Sequence, residues 1–128
     1  MPTDLPRPTD AELQILRVLW QKGPSTVRGV LEGLERGRSI GYTTVLKLLQ
    51  IMAEKGLVSR DESQRAHLYA PRIPREETQR QLVGDLLERA FGGSAERLVM
   101  QALASRKASP EELARIRKLL DELERGGR

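Results

Sequence analysis

The chain contains no cysteine. That removes disulfides, thiolate catalysis and zinc or copper sites built on sulfur. It has one histidine, His67, and one histidine without partners builds neither a metal site nor a Ser-His-Asp group. Aromatic residues make up 3% of the sequence, too few for a platform on which single-stranded nucleic acid could stack. No apolar run approaches the ~20 residues that span a bilayer. The first residues carry proline and aspartate rather than the apolar core of a signal peptide, so no membrane insertion and a cytoplasmic location are expected. A phosphate-binding loop and a nucleophile–base constellation are both missing. The carboxylate pairs Asp61-Glu62 and Glu111-Glu112 fall in a polar turn and a helix's first turn, where negative charge is favourable in any case. An enzyme, a cofactor and a bound metal are therefore not expected.

What the chain has is charge and helical periodicity. Its 128 residues suit one compact unit or two small ones. Lysine and arginine number 22 against 18 acidic residues, a net of +4. Residues 1–73 hold 11 basic and 8 acidic side chains (+3), and residues 74–128 hold 11 and 10 (+1). The excess lies mostly in the first part, a mild balance that permits nucleic-acid binding.

Residues 1–8 carry three prolines and read as a disordered or loosely docked arm. Thr9-Asp-Ala-Glu12 has the form of a capping box, and Leu13, Ile15, Leu16, Leu19 and Trp20 give the following helix its apolar face. Gly23-Pro24 ends it, and Ser25 is the expected cap of a second helix running to about Leu34. A loop follows, and then a third helix begins near Gly41. Its residues Val45, Leu48, Leu49 and Met52 recur on one face, Thr43 or Thr44 is the expected cap, and Gly56 is the stop. Leu57–Arg60 and Ala66–Ala70 read as two strands around the polar turn Asp61–Arg65. Three helices and then a hairpin is the order of a winged helix-turn-helix. The third helix, with short polar groups and a lysine at its outward end, suits the major groove of DNA.

From Pro74 the pattern is helical throughout. Leu82, Val83, Leu86, Leu87 and Ala90 form one stripe and lead to Phe91; Leu98, Val99, Ala102 and Leu103 form a second after the cap Ser94; Leu113, Ile116, Leu120 and Leu123 form a third after Ser109-Pro110. Three helices in about fifty residues carry more apolar surface than a unit of that size hides alone, so these stripes are expected to pack against a second copy of the chain. The expected fold is mainly α with a small β-hairpin wing. It comprises an N-terminal arm (1–8), a winged-helix DNA-binding domain (9–73) and a three-helix dimerisation domain (74–128).

Three stretches carry a family resemblance: Thr9-Asp-Ala-Glu-Leu-Gln-Ile-Leu-Arg-Val-Leu-Trp20, Gly41-Tyr-Thr-Thr-Val-Leu-Lys-Leu-Leu-Gln-Ile-Met-Ala-Glu-Lys-Gly-Leu-Val58 and Arg65-Ala-His-Leu-Tyr-Ala-Pro71. Together they closely resemble the penicillinase-repressor family of BlaI, MecI and CopY-type regulators, and the likeness runs from Thr9 to Leu123. It implies a homodimeric repressor acting on a palindromic double-stranded operator. It also implies relief of repression by a membrane-bound sensor metalloprotease system, through cleavage in the dimerisation domain, here at Gln101-Ala102. The staphylococcal type carries Asn-Phe at that bond. The copper-responsive branch uses C-terminal cysteines, which this chain lacks. Leu46 stands where some members have a basic residue.

The residues expected on DNA are Thr43, Thr44 and Lys47 on the third helix, Tyr42 at its start, Arg38 and Ser39 before it, and Arg65 and His67 in the wing. The residues expected at the dimer seam are Leu82, Leu86, Leu87, Phe91, Leu98, Val99, Leu103, Leu113, Ile116, Leu120 and Leu123. The competing expectation is a winged-helix protein-interaction module without specific DNA binding.

Overall fold

The computed structural model describes residues 5–34 and 40–126. Among the described residues six helices and one hairpin follow one another as α1 (Asp10–Lys22), α2 (Val27–Gly33), α3 (Tyr42–Lys55), β1 (Val58–Asp61), β2 (Leu68–Pro71), α4 (Arg75–Ala90), α5 (Ala95–Ser105) and α6 (Pro110–Gly126). The chain divides into two compact units, Met1–Leu82 and Val83–Arg128, and the division falls inside α4.

The first unit is a winged helix. Thr9 starts α1 with a complete capping box: Thr9 Oγ1 accepts from the Glu12 N–H at 3.2 Å, and the Thr9 N–H donates to Glu12 Oε1 at 2.9 Å. Such a cap is worth roughly 1 kcal/mol. The core is continuous across all the elements from α1 to β2. Ile15, Leu16 and Leu19 of α1 meet Val27 and Val30 of α2, Val45, Leu49 and Met52 of α3, and Leu57, Val58 and Tyr69 of the hairpin. The helix-period apolar positions thus converge on one side of each helix, as amphipathic packing requires. α1 and α2 approach closely at Gly33, where a Cβ would come within 2.6 Å of Val18 Cγ1. Lys22 Nζ adds a bond to the Gly29 carbonyl at 2.9 Å.

The cap of α2 is Thr26, not the expected Ser25: Thr26 Oγ1 accepts from the Gly29 N–H at 3.0 Å. Ser25 is occupied elsewhere. Its backbone forms a two-bond antiparallel bridge to Tyr69, with Ser25 N to Tyr69 O at 2.9 Å and Tyr69 N to Ser25 O at 2.8 Å. The chain entering α2 is therefore stitched to the wing's second strand.

At the end of α3, Gly56 takes the left-handed conformation with φ 87° and ψ 13°. The Leu57 N–H returns to the Met52 carbonyl at 2.9 Å and the Gly56 N–H to Ala53 at 3.3 Å, the Schellman arrangement. Two residues separate the end of the helix from the strand, which begins one position later than the sequence suggested. β1 and β2 pair antiparallel in the register Val58↔Pro71, Ser59↔Ala70, Arg60↔Tyr69 and Asp61↔Leu68. Both Ala66 and His67 therefore belong to the loop and not to the strand.

Of the described residues ahead of α1, two carbonyls accept bonds from side chains of this unit. The Arg7 carbonyl accepts from Lys55 Nζ at 3.1 Å, and the Leu5 carbonyl from Gln81 Nε2 at 3.0 Å.

In the second unit α5 and α6 start on side-chain caps, Ser94 to the Arg97 N–H at 3.1 Å and Ser109 to the Glu112 N–H at 3.0 Å. Neither helix has a buried residue. Among the described residues no helix is long and apolar enough to cross a membrane.

Candidate nucleic-acid interface

The orientation of α3 is set by what it buries. Val45, Leu49 and Met52 are completely buried, while Tyr42, Thr43, Thr44, Lys47 and Gln50 are exposed. Lys47 follows Thr43 by four residues and Thr44 by three, so the three side chains share one face over the first two turns. The structure corrects the expected cap. Gly41, in extended conformation, stands at the N-cap position and no side chain caps the helix. Thr43 and Thr44 therefore lie in the first turn, where backbone N–H groups lack intrahelical acceptors. No acidic residue occupies that turn, so no carboxylate within it offsets the positive end of the helix dipole.

The wing stands beside this end. Its loop is turned by Asp61, whose Oδ1 accepts from the Ser63 N–H at 2.9 Å. That bond holds the Asp61 carboxyl below its ordinary range. Arg60 is not available to a partner in the same way. Its Nε is 2.7 Å from Glu62 Oε2, and Tyr69 first and then Glu62 favour its charged form. Arg65 and His67 are exposed at the loop.

Between the wing loop, the start of α2 and the first turns of α3 lies an open cleft of about 430 Å³. Thr26, Val27, Arg28, Tyr42, Leu46, Arg65, Ala66, His67 and Tyr69 line it. Among the described residues two arginines and a histidine line it, and no carboxylate does. The Arg28 guanidinium carbon sits 5.4 Å from the centre of the Tyr42 ring, within cation–π range. Leu46 is half-buried on the inner wall, so its aliphatic side chain contributes floor rather than reach.

The cleft thus brings Tyr42, Arg65 and His67 together, with Thr43, Thr44 and Lys47 along the neighbouring helix face. Arg38 and Ser39 lie outside the described residues. Sequence reasoning missed Arg28 and Thr26, which precede Tyr42 by 14 and 16 positions and carry no local motif; only the fold places them beside α3.

The residues expected at a dimer seam are distributed unevenly. Leu86, Val99, Leu103, Leu113, Leu120 and Leu123 are exposed, and Leu87, Phe91, Leu98 and Ile116 are half-buried. Leu82 belongs to the first unit, where it lines a groove with Leu13 and Trp20. Gln101 and Ala102 are exposed inside α5, so the bond between them is helical.

Comparison with known proteins bears on this interface. The model of the family described as penicillinase repressor matches residues 8–122. The transcriptional regulator BlaI of Mycobacterium tuberculosis is 37% identical over 123 residues, covering 95% of this chain and 88% of its own. The penicillinase repressor of Bacillus licheniformis is 23% identical over 118 residues, covering 92% of each. Among solved structures, the DNA-binding domain of the repressor BlaI superposes with a TM-score of 0.51 at 22% identity, covering 59% of this chain and 93% of that one. The monomeric form of Bacillus licheniformis BlaI in complex with the blaP half-operator gives 0.50 at 23% identity, covering 58% and 90%. These two share the winged-helix fold of the first unit.

Proposed function

Because this chain belongs to the penicillinase repressor family, we propose that it is a homodimeric, sequence-specific transcriptional repressor that binds a palindromic double-stranded operator in the cytoplasm. Each protomer lays α3 in the major groove of one half-site, with Thr43, Thr44 and Lys47 toward base edges and phosphates. Arg65 and His67 meet the adjoining backbone, with Tyr42 beside them in the cleft. The observation that carries this reading is the division of α3. Val45, Leu49 and Met52 are sealed in the core, and the opposite face is polar, exposed and free of acidic residues over its first turn.

Dimerisation through the second unit is supported by its unspent apolar surface. Met100 is 60% exposed, Leu120 55% and Leu119 53%, and α5 and α6 bury nothing. Isolated exposed leucines are ordinary, but stripes repeated over three consecutive helices mark an interaction surface. A self-complementary, two-fold contact is the economical way to cover them. Cleavage at Gln101-Ala102 as a means of relieving repression would first require α5 to open, because the bond lies within its hydrogen-bonded run.

The test is selection of a duplex from a random pool by the full chain, followed by anisotropy titration at several salt concentrations. A palindromic consensus, two chains per duplex and an affinity that falls steeply with salt are expected. Retention of the selected duplex no better than a scrambled one at physiological salt overturns the proposal and favours a protein-interaction scaffold.

A further inference from the structure

We propose that the cleft between α2, α3 and the wing loop seats one backbone phosphodiester of the bound duplex. Arg28 and Arg65 grip it, and Tyr42 acts as a positioning residue for Arg28. This deepens the DNA-binding reading and rests on it. Arg28 is exposed, and its guanidinium lies 5.4 Å from the centre of the Tyr42 ring. Among the described residues it forms no ion pair, and no carboxylate lines the cleft. A guanidinium held on an aromatic face keeps its full charge and leaves its N–H edges directed outward, which suits the planar, two-pronged recognition of phosphate. Arg60 shows the contrast: it is the neighbouring arginine whose charge is already met by Glu62 at 2.7 Å.

The position fits the same ligand. The cleft flanks the N-terminal turn of α3, so when that helix lies in the major groove, the strand bordering the groove must pass between α3 and the wing. Arg65 lines the cleft from the wing loop and Arg28 from α2, so the two guanidinium groups come to it from different elements. Thr26 Oγ1 already accepts from the Gly29 N–H at 3.0 Å, which leaves its hydroxyl proton for a phosphate oxygen.

A phosphate contact has a signature that base readout lacks. It weakens operator and random duplexes by the same factor and lowers the salt slope by about one. The experiment measures both duplexes from 50 to 300 mM salt (a range set to cover roughly the physiological value) with the wild type, Arg28→Ala, Tyr42→Ala and the double variant. Thermal unfolding of each variant confirms that it remains folded. Arg28→Ala is expected to lower both affinities equally and the slope by about one. Tyr42→Ala is expected to weaken binding in the wild type and to change the salt slope no further once Arg28 is gone, since its ring acts on phosphate through the guanidinium. An unchanged slope in Arg28→Ala overturns the seat, as does a loss confined to the operator. Independent, additive slope effects of the two substitutions overturn the positioning role. If the wild type itself binds neither duplex, the DNA-binding reading fails first, and the seat fails with it.

Discussion

Lys55, at the last turn of α3, reaches back 43 positions in sequence to Glu12 in the first turn of α1, with Nζ 2.7 Å from Oε1. Glu12 is 3% exposed and Lys55 33%. The same Glu12 oxygen takes the Thr9 N–H, and the same lysine donates to the Arg7 carbonyl at 3.1 Å. One carboxylate therefore closes a helix cap and ties the start of α1 to the end of α3, the helix proposed to enter the groove. Lys55→Met would leave a nearly buried carboxylate with the Thr9 N–H as its remaining described donor. A loss of ~1–3 kcal/mol is expected, the usual cost of stranding a buried charged group. Urea unfolding measures it, and a change below about 0.5 kcal/mol, the ordinary surface-substitution range, would show the pair to be incidental.

Lys47 differs from Lys55 in pointing out of the fold. Lys47→Ala is expected to leave stability within about 0.5 kcal/mol and to cost operator binding ~1–3 kcal/mol if the ammonium reads a base. Anisotropy against operator and scrambled duplex separates base reading from a phosphate contact. Undiminished operator affinity would remove Lys47 from the interface.

The second unit makes its own prediction. Leu120→Glu combined with Leu123→Glu places two charges on a stripe of α6 whose side chains are 55% and 49% exposed. Sedimentation should show the change from dimer to monomer, with far-ultraviolet circular dichroism of the helices largely retained. Operator affinity should fall toward that of a half-site. A persisting dimer would move the seam away from α6.

The wing offers a pH signature. The Ser63 N–H, and secondarily its side chain, favour the ionised form of Asp61, so the folded pKa lies below the ordinary 3.8. A depressed carboxylate pKa contributes stability that is present above the unfolded value and lost as pH falls through the folded one. The Ser63 amide resonance should therefore titrate with a midpoint below 3.8 and move to a loop-like position at the acid end. A midpoint at or above 3.8 would mean that the turn does not depend on this bond.

The helices were legible because their signals are local. The Thr9 box, the glycine after Lys55 and the serine–proline start at Ser109 each satisfy a helix end within a few residues. The face of α3 was legible for the same reason, since periodicity alone separates Val45 and Leu49 from Thr44 and Lys47. The misassigned caps have non-local or competing causes. Ser25 and Thr26 are equally good caps by type, and the choice between them is made by Tyr69, 44 residues from Ser25, which engages the Ser25 backbone. Gly41 needs no hydroxyl to begin α3, so the threonines after it are drawn into the helix. The cleft was invisible in one dimension because Arg28, Tyr42 and Arg65 come from three elements and meet only after α1 to β2 have closed around one core.

The Gly56 joint also has a consequence for what the protein can measure. One left-handed residue and two return hydrogen bonds weld α3 to β1, and the Ser25–Tyr69 bridge fastens the far strand. With α3 in the groove as proposed, helix and wing would act as the jaws of a caliper whose gap is set by these bonds. A B-form duplex offers a major groove that admits a helix, whereas the A-form groove is deep and narrow. A gauge of fixed width can therefore reject an RNA duplex by its dimensions, without touching a single 2′-hydroxyl. An RNA duplex of the operator sequence should fail to compete for binding.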